Sequence, residues 1–342
     1  MPDPLVNVIG RLPETGETLE VAPGVLWLRM PLPFALDHIN LWALEDGDGW
    51  TLIDTGINRP ETTDAWEILF AGPLAGRPVK RLIVTHFHPD HMGLAGWLTE
   101  KFGIEMWTTE TEWQTASTLY YGEHNDELID MARTFYQAAG FNAALMAEVE
   151  ARGNPFPRRV SPIPKTYTKI AAGDAIEIGG RDWRVMIGTG HSPEHACLYC
   201  EDAGVLISGD QILPKITPNV SVWPQHADLD PLALFLGSLK TFAPLPEDTL
   251  TLPSHNWPFL GLRERLDIMA HHHDERLDDV VRACSDPLNG FQVLKHLFKR
   301  ELDSHQLFFA IGESLAHLHY LMGQGRVSRE MGADGVNLFR AT

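Results

Sequence analysis

The chain has 342 residues, 44% of them hydrophobic, with 46 acidic against 27 basic side chains and a formal net charge of −19. That length and apolar content suffice for a sizeable core and up to two domains. So acidic a chain repels phosphate backbones, no basic run or patch stands out in it, and no apolar stretch reaches the roughly 20 residues of a membrane span, so neither nucleic acid nor a membrane is an expected partner. Met1-Pro2-Asp3-Pro4 has neither the basic nor the apolar region of an export signal, and the expectation is a cytoplasmic protein acting on a small molecule, with homo-oligomerisation left open.

In chain order, Val25-Leu26-Trp27-Leu28, Asn40-Leu41-Trp42-Ala43-Leu44 and Trp50-Thr51-Leu52-Ile53 read as short strands, the last two joined by the turn Glu45-Asp46-Gly47-Asp48-Gly49. Pro31-Leu32-Pro33-Phe34 can form a flap between the first two. Asp54-Thr55-Gly56 closes the third strand, with Asp54 either a turn former or a carboxylate near a site. A helix is predicted over 63–70. The apolar strand Leu82-Ile83-Val84 then runs into Thr85-His86-Phe87-His88-Pro89-Asp90-His91, and residues 92–98 follow with helical spacing. Residues two apart in extended chain point the same way, so His86 and His88 can grip one ion. Asp90 and His91, at the helix entry and turned away, can serve a second. Imidazole nitrogen and carboxylate oxygen suit zinc, at roughly 2.0–2.2 Å.

Glu105-Met106-Trp107-Thr108 is the next strand, after which residues 111–166 break the strand–helix alternation with helical runs at 128–139 and 143–151 and a proline-rich return. An insertion this long usually has a job, and we read residues 110–166 as a helical lid. Trp113, Tyr120 and Tyr121 at its edge either line a substrate pocket or pack the helices onto the body. A second set of strands follows at 175–178 and 183–187, joined by Gly179-Gly180, and then at 196–200, 205–207 and 250–252, with a helix over 231–240. Cys197 and Cys200, three apart on a strand, face opposite sides and read as buried thiols, neither bridged nor sharing a metal. Two groups of strands with helices between them predict sheet packed on sheet, with the helices outside. From Gly261 the pattern is helical. His271-His272-His273 point three ways on a helix over 262–281 and read as a solvated face. Ile311, Leu315, Leu318 and Met322 are spaced as core, His317 and His319 do not pair with each other, and Arg326-Val327 with Val336-Asn337-Leu338-Phe339 suggest a small β-wing.

His86-Phe87-His88-Pro89-Asp90-His91 resembles the His-x-His-x-Asp-His signature of the metallo-β-lactamase superfamily. Three more motifs follow in that family's order: Gly188-Thr189-Gly190-His191-Ser192-Pro193-Glu194-His195, Ser208-Gly209-Asp210 and Pro253-Ser254-His255. The resemblance covers roughly the first three-quarters of the chain. It implies an α+β fold, a four-layer αβ/βα sandwich with its metals at one edge of the strands. Residues 1–261 would form the catalytic domain, including the lid, and 262–342 a mostly helical, winged-helix-like C-terminal region.

By the same resemblance His86, His88 and His191 hold one divalent metal, Asp90, His91 and His255 hold a second, and Asp210 bridges them. Asp90 and Asp210 are then the carboxylates of the catalytic centre. Two zinc ions are implied, with iron or manganese as alternatives. With both aspartates and a bridging hydroxide, two Zn²⁺ leave a residual charge of about +1, matched to an oxyanion forming on a carbonyl. Asp54 and His195 would sit beside the ligands rather than among them. Glu194 replaces the family's usual glycine, where it would narrow the entrance or meet a cation. Phe34, Phe87 and Trp223 are candidates for an apolar substrate wall. The implied activity is attack of a metal-bridging hydroxide on a carbonyl, most closely that of a hydroxyacylglutathione-type thioester hydrolase, although no lysine, arginine and tyrosine cluster for glutathione's carboxylates is evident. Lactone or ester hydrolysis, as in acyl-homoserine lactonases, is the alternative. The net charge disfavours a phosphodiesterase or nuclease, the missing export signal a β-lactamase, and the second-metal ligands a one-iron dioxygenase. A metal-stabilised scaffold without activity is the non-enzymatic reading.

Overall fold

The apolar runs of the sequence form strands buried on both faces, the burial expected of sheets covered by helices on one side and by another sheet on the other. The computed structural model describes residues 5–7, 9–34, 36–122 and 126–342. Met1-Pro2-Asp3-Pro4, on which the export-signal reading rested, lie outside the described residues.

The first half of the chain comprises β1 (Val6–Asn7), β2 (Leu19–Ala22), β3 (Val25–Pro31), β4 (His38–Asp46), β5 (Gly49–Ile53), α1 (Pro60–Ala71), β6 (Val79–Ile83), α2 (Pro89–Met92), α3 (Ala95–Phe102) and β7 (Met106–Thr108). The insertion folds as α4 (Glu110–Tyr121), α5 (Asp126–Ala138) and α6 (Ala143–Arg152) before β8 (Thr168–Lys169). Then follow β9 (Ala175–Ile178), β10 (Arg181–Gly188), β11 (His195–Cys200), β12 (Val205–Gly209), α7 (Pro231–Phe242), β13 (Leu250–Pro253) and β14 (Phe259–Leu260). The chain ends in α8 (Leu262–Ala283), α9 (Gly290–Leu297), α10 (Ser304–Gly323) and the hairpin β15 (Val327–Met331) and β16 (Asn337–Ala341).

Two seven-stranded sheets result, ordered β2-β3-β4-β5-β6-β7-β8 and β1-β14-β13-β12-β11-β10-β9. The first turns from antiparallel to parallel at β5–β6, where α1 makes the crossover, and the second has one parallel pair, β12–β13, bridged by α7. Alternation along each strand divides the core into layers. Trp27, Trp42 and Ile83 meet Trp183, Leu198 and Ile207 between the sheets. Leu28, Leu41 and Leu82 face the other way, onto Trp66 of α1 and Leu98 of α3. Tyr199 and Leu206 pack with Phe235 of α7, Met269 of α8 and Ile311, Leu315 and Leu318 of α10. Cys197 belongs to that outer layer and Cys200 to the layer between the sheets, as a period of two requires, and both are buried and free. No helix among the described residues is long and apolar enough to cross a membrane.

One expectation fails in the C-terminal helices. His271 is exposed, but His273 is buried, its Nδ1 lying 3.3 Å from Nε2 of the equally buried His317. Three consecutive helical residues sample most of the circumference, and here the α10 side of α8 takes the third. His317 does not pair with His319. Its partner comes from another helix.

Candidate metal centre

Strand direction gathers the chemistry at one rim. The C-terminal ends of β5, β6, β10, β12 and β13 and the starts of β4 and β11 all open there. After β6 the chain leaves the sheet at Thr85, whose backbone N–H donates to Asp54 Oδ1 (2.7 Å) and whose hydroxyl donates to Oδ2 (2.9 Å). Asp54 holds a left-handed backbone, φ 62°, which side chains other than glycine's rarely adopt. Its Oδ2 lies 2.8 Å from Nδ1 of His91, so the carboxylate aims the ring and turns Nε2 to the rim.

Around that rim the ligand-type atoms fall into two sets. His86 Nε2 is 3.0 Å from His88 Nδ1 and 3.2 Å from His191 Nε2, and His191 Nε2 is 3.5 Å from Asp210 Oδ2. His255 Nε2 is 3.5 Å from Asp90 Oδ2 and 3.3 Å from Asp210 Oδ1, and His91 Nε2 is 3.5 Å from Asp210 Oδ2. Within each set, His86, His88, His191 and Asp210 or Asp90, His91 and His255, these atoms lie within 4.8 Å of one another. Asp210 reaches into both.

The far sides of the rings assign the lone pairs. His191 Nδ1 donates to the carbonyl of Asn219 and His255 Nδ1 to the carbonyl of His38, each at 2.8 Å, which turns both Nε2 atoms inward. Burial and the neighbouring His191 push His88 down to about 3. Asp90 resists burial and falls to about 2, because His91 and His255 beside it favour the carboxylate. Imidazole nitrogens and carboxylate oxygens converging at 3.0–3.5 Å, with His88 Nε2 and His91 Nε2 buried and outside any hydrogen bond, are donors that cations would satisfy. The donor set fits divalent metal ions.

His195 lies beneath this pair of sets. Its Nε2 accepts the N–H of Asp210 at 3.0 Å, and its ring stacks on His86 with centroids 4.6 Å apart. Gly209 is required here, since a Cβ would stand 2.3 Å from the His195 ring. Glu194 is not at an entrance. Its carboxylate accepts the Thr111 hydroxyl at 2.5 Å and is drawn to the start of α4.

Sequence reasoning missed Glu112. This side chain on the first turn of α4 is 0% exposed. Its Oε2 accepts the N–H of Phe87 (2.9 Å), and its Oε1 accepts the hydroxyl of Ser192 and the N–H of Glu194 (both 2.7 Å). One carboxylate thus ties the His86–His88 loop to the His191 loop. Burial pushes it up to about 7 despite those bonds. The signal was present: Glu112 shares the buried stripe of α4 with Ala116, an acidic residue at a core position.

A cavity of about 980 Å³ opens above the rim, with His88, Asp90, His191, Asp210 and His255 at its floor and Phe34, Phe87 and Trp223 in its wall. The lid aromatics resolve toward packing. Trp113 donates its indole N–H to the Pro164 carbonyl (2.8 Å) and stacks on Tyr167, Tyr121 donates to the Ile163 carbonyl (2.9 Å), and Tyr120 packs on Tyr121. They pin α4 to the proline-rich return and do not border the cavity.

Two sheets back to back, with paired histidine–aspartate clusters at one rim, define the class of metallohydrolases built on the αβ/βα sandwich. The family model of the metallo-β-lactamase superfamily matches residues 35–269, and that of the metallo-β-lactamase-like C-terminal domain matches 277–342. The chain belongs to the metallo-β-lactamase superfamily. It is similar to a β-lactamase domain protein from Burkholderia ambifaria, with 42% identity and a TM-score of 0.91 over 99% of this chain and 98% of that one. It is 26% identical to the "probable metallo-hydrolase YqjP" of Bacillus subtilis over 89% of this chain and 94% of that protein. It is also 29% identical to a hydroxyacylglutathione hydrolase from a Polaromonas species, over 44% of this chain and 52% of that protein.

Proposed function

We propose that the protein is a dinuclear metal-dependent hydrolase acting on a thioester carbonyl. The observation that carries this reading is the pair of donor sets, with Asp210 in one and within 3.3–3.5 Å of His255 and His91 of the other, at the floor of a largely apolar cavity. In this reading His86, His88 and His191 hold one ion, Asp90, His91 and His255 the other, and Asp210 both. Zinc suits the nitrogen-rich set, with iron or manganese as alternatives. Ions bound there would supply Lewis acidity and bring a water's pKa to about 7. The chain's own part is to hold its donors in place before substrate arrives. Asp54 and the carbonyls of Asn219 and His38 orient His91, His191 and His255. Phe34, Phe87 and Trp223 would seat the acyl portion and keep bulk water from the carbonyl. Residues 262–342 extend the catalytic unit as a C-terminal region. The Polaromonas relative's name favours thioesters over the lactones and esters that the same carbonyl chemistry could serve.

The test is hydrolysis of S-lactoylglutathione, acyl-coenzyme A thioesters and acyl-homoserine lactones by the metal-loaded protein, with Asp210→Ala as control. Thioester turnover that drops by orders of magnitude in the variant, with the fold retained, is the expected result. Lactone turnover alone would promote the alternative. A variant that only melts earlier, in a protein that turns over none of the three, would favour a metal-stabilised scaffold.

A further inference from the structure

The 23 residues between Glu150 and Asp174 contain five basic side chains, Arg152, Arg158, Arg159, Lys165 and Lys169, and no acidic one, in a chain of net charge −19. This run qualifies the expectation that no basic stretch stands out. It is the end of α6 and the return of the lid, and two of its arginines, Arg152 and Arg159, border the cavity over the candidate metal centre. Arg152 is half-buried, its guanidinium 4.2 Å over the ring of Phe308 on α10, and no carboxylate among the described residues acts on it. The contrast is in the same wall, where Arg133 is neutralised by Asp130 and Glu150. Arg159 is also half-buried, lies 5.5 Å over Phe34, and is close enough to the floor to feel the charge of Asp90. Arg158 donates to the Arg152 carbonyl at 2.9 Å, which folds the run back on itself, and the charges of Arg152 and Arg158 both act on Arg159. Around them the wall is apolar, with Leu119, Ile129, Tyr136, Val149 and Phe156 among its residues.

The Arg152 guanidinium, partly withdrawn from water with no carboxylate acting on it, is costly unless a ligand completes it, and the planar fork of an arginine suits phosphate and carboxylate. We propose that the cavity binds an elongated, mostly apolar substrate carrying an anionic group, and that Arg152 and Arg159 read that anion. The anion is a phosphate on the acyl carrier or a carboxylate on the acyl chain. The inference rests on the hydrolase reading only for the bond that reacts, and its binding claim stands or falls separately.

Binding of non-hydrolysable thioethers to the metal-loaded protein, followed by calorimetry, tests it. The probes are S-decyl-coenzyme A, S-decyl-pantetheine (uncharged) and its ω-carboxy counterpart. One charged probe should bind at least about tenfold tighter than the uncharged one, with the gap closing at high salt. Preference for the coenzyme A probe assigns the anion to the carrier, and preference for the carboxylate probe assigns it to the acyl chain. Arg152→Met with Arg159→Met should collapse the charged-to-uncharged ratio, whereas Arg152→Lys should retain most of it. Equal binding of all three probes by the wild-type protein at low salt would overturn the proposal, whether or not the variants fold. A ratio unchanged in a folded double-methionine variant would remove the two arginines from it. Charge-selective binding without thioester turnover would sink the thioester reading and leave this one, and thioester turnover without charge selectivity would do the reverse.

Discussion

Glu112 accepts three hydrogen bonds from two loops, and the amide of Glu112→Gln cannot replace it. A glutamine offers one acceptor oxygen and one donor group, so its NH₂ must face either the N–H of Phe87 or the N–H of Glu194. Either choice leaves donor against donor in a site closed to water. We expect Glu112→Gln to lose about 1–3 kcal/mol of stability, measured by chemical denaturation. We also expect metal affinity to fall about 10–100-fold in chelator competition, because the two loops carrying His86, His88 and His191 lose their common anchor. Unchanged metal affinity in a destabilised protein would mean that Glu112 serves the fold and not the centre.

The contact between α8 and α10 carries a titration the metal centre does not. His273 and His317 are buried against each other and against Phe235 of α7, with His272 and Arg276 of α8 nearby and the carbonyl of Glu313 accepting from His317 Nδ1. Burial, with the neighbouring cationic groups, lowers His273 to about 3 and His317 to about 4. The unfolded chain therefore takes up these protons first as pH falls. Stability from keeping the rings neutral is fully present above the unfolded value near 6.5 and is lost progressively as pH falls, down to about pH 4 for His317 and about pH 3 for His273. For His317 alone the loss is roughly 2–3 kcal/mol by pH 4.5. Denaturation of the wild type and of His317→Gln, whose amide can still donate to the Glu313 carbonyl, checks this across the same pH range. The variant should show the shallower decline, and parallel curves would exclude the pair as its source.

At the scale of the whole molecule, α10 serves two interiors at once. Ile311, Leu315 and Leu318 close the layer over the second sheet, while Phe308, Phe309 and Glu313 border the cavity. Asn219 donates to Glu313 of this helix (3.3 Å) and accepts from His191, so the C-terminal helix stands two hydrogen bonds from the rim. A chain ending at Gly261 would expose the outer faces of Tyr199, Leu206 and Phe235. It should be recovered as aggregate rather than as a smaller soluble protein, which expression and size-exclusion chromatography would show directly. A soluble fragment with a native circular dichroism spectrum would mean that the C-terminal helices only cap a self-sufficient sandwich.

The sequence by itself determined the layered fold through short-range rules, and the resemblance of its motifs to the metallo-β-lactamase superfamily pointed to the seven side chains at the rim. Apolar runs such as Val205-Leu206-Ile207 announce strands with two buried faces, and His86 with His88 occupies one side of a strand end through a period of two residues. Tertiary structure alone decided what supports those side chains. Glu112 meets loops 25 and 82 positions away, and His273 meets His317 across 44 positions. Trp113 turned to Pro164, 51 positions on, and Arg152 came to face the cavity only when α6 packed against Phe308 of α10. Local periodicity says which side of its own element a residue occupies, while the identity of what lies opposite depends on how distant elements pack.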